Sequence, residues 1–303
     1  LAGPLATQTL ADLGATVVKV ERPGLGDDTR SWGPPWTDSG STYFEAANRS
    51  KRSIALDMRD ADDLAACHRL VERADVMVEN FRAGSLAKHG LDPVSTLARN
   101  PRLVHCSITG FGSGAGASLP GYDFVVQAVG GLMSITGEPD GDPQKVGVAL
   151  VDILTSKDAV IGILAALRQR ETTGLGQLVE VNLLQSLLAS LANQASSWLE
   201  TGVSPTRLGN RHPSIAPYET LRCADGLLAV ACGNDAQFSR LCEVLGVPEL
   251  ATDERFDSNA ARVQARAALA EILEARLACH SAAEWQVRLT RADVPAGEVK
   301  DIA

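Results

Sequence analysis

Aromatic residues make up only 4% of the 303-residue chain, and no two of its six cysteines stand at CxxC spacing. Cys67, Cys106, Cys223, Cys232, Cys242 and Cys279 are scattered, which fits buried thiols in a reducing compartment rather than a disulfide framework or a zinc site. His68, His89, His105, His212 and His280 form neither HExxH nor any pair at ligand spacing, so no metal is expected. GxSxG is missing, which removes support for a serine acyl-enzyme. Apolar runs stop short of the roughly 18 residues that a membrane-spanning helix needs. Positive charge is also scarce: 28 Lys and Arg against 37 Asp and Glu leave a net charge of -9, which argues against nucleic acid or an anionic membrane as partner. No leader with a charged start and apolar middle opens the sequence, and the expected location is the cytoplasm. LAGPLATQTLADLGA at the start reads as a helix already under way and VPAGEVKDIA at the end as the approach to a strand, so both ends are expected to be clipped.

What remains is aliphatic and alternating. LATQTLADLG (5–14) has helical spacing and stops at Gly14, and ATVVKVE (15–21) is β-branched and strand-like. DADDLAACHRLVERAD (60–75) is a second helix, followed by the strand VMVEN; LVHCSI is another buried strand, and QLVEVNLL lies between two long helices over 154–200. This order predicts an α/β fold: a Rossmann-like large domain with a mostly parallel sheet over residues 1–200. TGVSPTRLGNRHPSIAP (201–217), with its prolines and glycines, reads as a linker. A smaller α+β domain is expected over 218–303, opening with a hairpin that turns at Ala224-Asp225-Gly226 and continuing with three helical stretches over 234–291.

One acid interrupts an apolar run. VGVALV (146–151) reads as a short buried strand, and a helical pattern follows, so Asp152 falls at a strand-to-helix junction. On the residues alone it is a helix cap or a functional carboxylate. GFGSGAGA (110–117) loosely resembles a dinucleotide fingerprint, which keeps an NAD-dependent oxidoreductase open as an alternative, but Pro120 stands where the following helix should begin. Basic side chains cluster after strand ends: Arg22, Arg30, Arg49, Lys51, Arg52, Arg82 and Lys88. In an acidic chain that placement suggests a phosphorylated ligand.

LADLGATVVKVERPGLGDDTR, NRSKRSIALDM, ADVMVENFRAGSLAKHGLD, GYDFVVQAVGGLMSITG, VALVDILTSKDAVIGILAALRQRETTGLGQLVEVNLL and GNRHPSIAPYETLRCADG occur in that order. Together they resemble the class III coenzyme A transferases, the group of formyl-CoA transferase and α-methylacyl-CoA racemase. The resemblance implies an acyl-CoA:carboxylate CoA-transferase with an aspartyl covalent intermediate, in which Asp152 is the nucleophile. It places Asp123 at a second acidic position of the active site, beside Tyr122. It places the CoA contacts at Arg30, Lys51, Arg52, Asn80, Phe81, Arg82 and Lys88. Coenzyme A enters as a substrate, the other partner is a small carboxylic acid, and no tightly bound cofactor is implied. Racemases carry a histidine where this chain has Tyr122, so the racemase is the runner-up. The glycine-rich flap of the formyl-CoA branch is absent, which disfavours oxalate and formate. Arg211 and His212 are candidates for holding the distal carboxylate of a dicarboxylic acid such as succinate. The N–H groups at the helix start after Asp152 are expected to stabilise oxyanions. The resemblance also implies an interlocked homodimer, and LLQSLLASLANQASSWL (183–199), apolar around most of its circumference, is expected to be buried against a partner.

Overall fold

Helix and strand alternate from the first residues of the computed structural model, which describes residues 1–303. Helix α1 (Ala2–Asp12) passes through Gly14, at φ +102, into strand β1 (Val17–Glu21). A short antiparallel pair, β2 (Trp36–Thr37) and β3 (Gly40–Ser41), leads to α2 (Thr42–Glu45), which Ser41 caps by accepting the Phe44 N–H. Strand β4 (Lys51–Ala55) then pairs in parallel with β1, Val17 opposite Lys51 and Glu21 opposite Ala55.

The next helices begin where their caps say they should. Asp60 accepts from Asp62 and Asp63 N–H at the start of α3 (Ala61–Arg73), and Asp92 accepts from Ser95 N–H at the start of α4 (Pro93–Arg99), with proline in the first turn. Between and after them run β5 (Val76–Glu79) and β6 (Val104–Thr109), then α5 (Asp123–Val129), α6 (Leu150–Thr173), β7 (Leu178–Asn182), α7 (Leu183–Ser190) and α8 (Ala192–Thr201). Strand β6 is central in a parallel sheet of order β5-β6-β7 and is buried along most of its length. Helices α1, α6 and α7 cover it through Ala6, Leu10, Ala159, Ile163, Ala166 and Leu187. At Gly162 a Cβ would lie 2.7 Å from Val179 Cγ1, so α6 approaches β7 more closely than any other residue would permit.

Three expectations are corrected here. The parallel strands form two sheets rather than one. Residues 146–149 join no ladder, and Leu150 and Val151 already belong to α6, so Asp152 is a first-turn residue rather than a strand end. The apolar stretch 183–199 is broken at Leu191, with Ala192 at φ +42, into two helices rather than one.

The chain divides into two compact units, Leu1–Ser134 with Gln144–Pro205, and Ile135–Pro143 with Thr206–Ala303. The second opens with the hairpin β8 (Tyr218–Arg222) and β9 (Leu227–Ala231), then four helices rather than three, α9 (Asp235–Val244), α10 (Asn259–Gln264), α11 (Arg266–Leu277) and α12 (Ala282–Arg291), and closes with β10 (Ala296–Glu298). Its sheet is antiparallel, of order β10-β9-β8. Leu221, Leu228, Phe238, Leu241, Phe256, Leu273 and Trp285 form its core. Arg262 is wholly buried in it, donating to Ala216 O at 2.7 Å, Phe256 O at 2.9 Å and Asp235 Oδ1 at 2.6 Å, with its guanidinium 4.4 Å from the Phe238 ring.

Candidate active site

Asp152 occupies the third position of α6, and its own helix start is already saturated. The residue at the cap position is Ala149, which has no side chain to offer. The cap comes from α5 instead. Asp123 Oδ2 accepts the Val151 N–H at 2.7 Å and the Asp152 N–H at 3.0 Å. The two neighbouring donors go elsewhere, Leu150 N–H to Val148 O at 2.8 Å and Ile153 N–H to Ala149 O at 3.1 Å. The oxyanion role expected of these N–H groups is therefore overturned: each already has an acceptor.

The Asp152 carboxylate meets the start of α1. The Ala2 N–H faces it and favours its charged form. Only 15% of the Asp152 side chain is exposed. Burial raises its pKa above the ordinary 3.8, the negative charge of Asp123 adds to the rise, and the Ala2 N–H opposes it.

Asp123 is itself buried and held by its own helix. Gln127 Nε2, four residues on, donates to Asp123 Oδ1 at 2.6 Å, while Gln127 Oε1 accepts the Val146 N–H at 2.9 Å. Tyr122, the residue before it, is exposed. The loop from β6 to Tyr122 is pinched at its base: Cβ atoms added to Gly110 and Gly121 would lie 2.5 and 2.4 Å from the facing Cα. Only glycine fits at both positions.

Helix α1 connects these groups to the basic cluster. Lys51 Nζ donates to Pro4 O and Ala47 O, each at 2.7 Å, and to Asn48 Oδ1 at 3.0 Å, so its three ammonium donors are all used within the protein. Burial pulls the Lys51 pKa down to about 7. Asn80, at the end of β5, lies against Gly3, where an added Cβ would meet its side chain at 3.7 Å. Arg30 is engaged too: its guanidinium donates to Glu21 Oε2 at 2.7 Å and Oε1 at 2.8 Å and stacks over the Phe44 ring at 3.8 Å. By contrast Arg52, Phe81, Arg82 and Lys88 are exposed. The structure thus brings Asp152, Asp123, Asn80 and Lys51 around the start of α1, and leaves Arg52, Arg82 and Lys88 open to solvent.

Two polar residues of the site carry no motif. Gln127 is legible only as the residue one helical turn beyond Asp123. Tyr43, on α2 and in tilted contact with Trp32 at 5.0 Å, has its phenol pKa raised by burial and by the charges of Asp152 and Asp123. Arg211 and His212 lie in the second unit. Arg211 Nε is 3.7 Å from Glu219 Oε2, and the His212 ring contacts Tyr218 at 5.1 Å. An open cleft of about 630 Å³ in that unit is lined by Asn210, Tyr218, Glu219 and Thr220 among others. Among the described residues no group of three or more His, Cys, Asp or Glu could hold a metal ion, and no helix is long and apolar enough to cross a membrane.

The sequence matches the family described as CoA-transferase family III over residues 1–303. It is 47% identical over 314 residues to a succinate–glutarate CoA-transferase from Agrobacterium fabrum, covering all of this chain and 77% of that protein. An acetyl-CoA:oxalate CoA-transferase from Acetobacter aceti is 42% identical over 305 residues, with 100% and 78% of the two chains covered. Among solved structures, a CAIB/BAIF family protein from Brucella suis superposes with a TM-score of 0.88 at 50% identity, covering 100% of this chain and 81% of the other.

Proposed function

Because the chain belongs to CoA-transferase family III, and is accordingly an enzyme that moves coenzyme A between carboxylic acids, we propose that Asp152 is the group that carries the acyl exchange. The observation that supports this reading is a partly buried first-turn carboxylate whose own helix makes no claim on it. One Asp152 oxygen attacks the thioester carbonyl carbon; the C–S bond breaks, giving a mixed anhydride and CoA thiolate. The thiolate attacks Cγ of Asp152, the anhydride C–O bond breaks, and the donor acid leaves as its carboxylate. An aspartyl-CoA thioester remains. The acceptor carboxylate attacks that thioester, and the same steps in reverse deliver CoA to it and restore Asp152.

Partial burial serves this chemistry twice. It makes the carboxylate more basic, and it limits the water that would hydrolyse an anhydride. The Ala2 N–H faces the Asp152 carboxylate and holds it toward the start of α1. Tyr122, exposed beside Asp123, borders the acyl group and stands where racemases carry a histidine. Arg52, Asn80, Phe81, Arg82 and Lys88 form the CoA-binding surface in this reading, with the exposed Arg52, Arg82 and Lys88 meeting phosphates. Arg30 and Lys51 belong to the same surface, and their hydrogen bonds to Glu21 and Pro4 tie it to β1 and α1.

Relatives named for succinate, glutarate and mesaconate point to a dicarboxylyl-CoA donor, with succinyl-CoA first in the panel. The first unit is then the Rossmann-like CoA-binding and catalytic part, the second a small domain, and the assembly an interlocked homodimer. Six free cysteines suit the reducing cytoplasm. The test is thioester exchange, with succinyl-CoA and a panel of acids followed by mass spectrometry. The wild type should produce new CoA esters and carry a CoA adduct on the Asp152 peptide. Asp152→Ala should lose both with an unchanged thermal midpoint, and turnover above roughly a tenth of wild type would remove Asp152 from this role.

A further inference from the structure

An acid in the first turn of a helix usually turns back onto the N–H groups beside it. Asp152 does not, because another side chain has taken them. Asp123, 29 residues earlier, accepts the N–H of Val151 and of Asp152, and the neighbouring N–H groups of Leu150 and Ile153 bond to Val148 O and Ala149 O. With no donor left on α6, the Asp152 carboxylate turns to the start of α1.

Asp123 is oriented for this task. Gln127 Nε2 holds its Oδ1 at 2.6 Å, leaving Oδ2 to meet both helix N–H groups. The other end of the Gln127 amide accepts the Val146 N–H at 2.9 Å, which draws the segment before α6 into the same network. Gln127 is fully buried and Asp123 nearly so, and bonds of this kind are short and costly to break when dry.

We propose that Asp123 is the positioning residue of the transfer reaction: by holding the first-turn N–H groups of Val151 and Asp152, it keeps the Asp152 carboxylate turned out of its own helix and free to meet the thioester. This rests on Asp152 as the nucleophile. It gives Asp123 no proton to move and no bond to form.

The test uses the full chain and compares wild type, Asp123→Ala, Asp123→Asn and Gln127→Leu with succinyl-CoA as donor. Three quantities are read: kcat, KM for the donor, and the single-turnover rate of CoA adduct formation on the Asp152 peptide. Asp123→Ala should lower kcat and adduct formation on the order of 100-fold, with KM within about threefold. Asp123→Asn keeps one oxygen able to accept both N–H groups and should recover to within about tenfold of wild type. Gln127→Leu retains the carboxylate but not its tether, and should lower kcat about tenfold at unchanged KM. An Asp123→Ala enzyme within about threefold of wild type overturns the proposal, as does an Asp123→Asn enzyme no faster than Asp123→Ala. Where Asp123→Ala does not fold, Gln127→Leu decides, and an unchanged kcat there overturns it equally. Absence of any adduct in the wild type is a failure of the nucleophile assignment; an adduct that forms at wild-type rate in Asp123→Ala is a failure of the positioning role alone.

Discussion

Glu21 is buried and fully satisfied: Arg30 donates to both carboxylate oxygens, Ser53 Oγ donates at 2.6 Å and the Asp27 N–H at 2.9 Å. The Arg30 hydrogen bond leads in holding its pKa near 2, below the ordinary 4.5, and burial only partly opposes it. Asp27, bonded to Lys19 at 2.7 Å, is likewise held near 2 despite its burial. A carboxylate whose pKa falls on folding stabilises the fold above its ordinary pKa and gives that stability up as pH drops through the folded value. Chemical denaturation between pH 5 and pH 2 should therefore show a loss of which Glu21→Gln removes one part, about 2 kcal/mol after allowance for the half-exposed Arg30, and leaves the part due to Asp27. Arg262 makes a complementary case, since a buried guanidinium with three oxygen partners leaves all of them unpaired when it is removed. Arg262→Met should destabilise the second unit by about 3 kcal/mol or more in urea titrations. Asp152 was legible as an oddity, an acid in an apolar run. The role of Asp123 was not, because its hydrogen bonds reach across 28 and 29 residues and leave no local pattern.

At the scale of elements the same fact explains the misread start of α6. A helix normally announces its beginning with Ser, Thr, Asp or Asn at the cap. Here that residue is Ala149, the cap is supplied by α5, and residues 146–149 are apolar without a strand to pair with. Where the cap is local, as at Asp60, the element is readable from the sequence. The β6–α5 connection is a second place where sequence shows the residues but not their use. Gly110, the first glycine of the stretch that suggests a nucleotide fingerprint, instead pairs with Gly121 to close the loop base. Gly121→Ala should force that base apart and shift Tyr122 and Asp123 together, with kcat reduced at least tenfold and a lower thermal midpoint in calorimetry. A variant at Gly114, which has open space around it, should leave both nearly unchanged.

For the whole molecule, several large apolar side chains of the first unit face outward, including Phe124, Val129, Ile161, Trp198 and Leu199, each more than half exposed. A partner surface in the proposed homodimer is one place for them to be covered. Light scattering over a wide dilution series should find no folded monomer, and a folded monomer at any concentration would count against interlocking. The alternation of helix and strand was enough to see α/β architecture, whereas the division of the parallel strands into separate sheets depends on which strands meet, and periodicity is silent on that.

The second unit is assembled from two stretches of chain, Ile135–Pro143 and Thr206–Ala303, with α6, β7, α7 and α8 intervening. Gly209 N–H is bonded to Gly137 O at 3.0 Å and Arg207 Nε to Glu138 O at 3.3 Å, so the early stretch provides acceptors that the late one uses. A ribosome making this protein finishes nine residues of the second unit before it has begun α6, and must hold them unsatisfied while some sixty more emerge. No single gene truncation can separate the two units cleanly. Recombination between relatives is constrained in the same way, since a crossover anywhere between 144 and 205 would join a Gly137 strap from one parent to a Gly209 segment from the other.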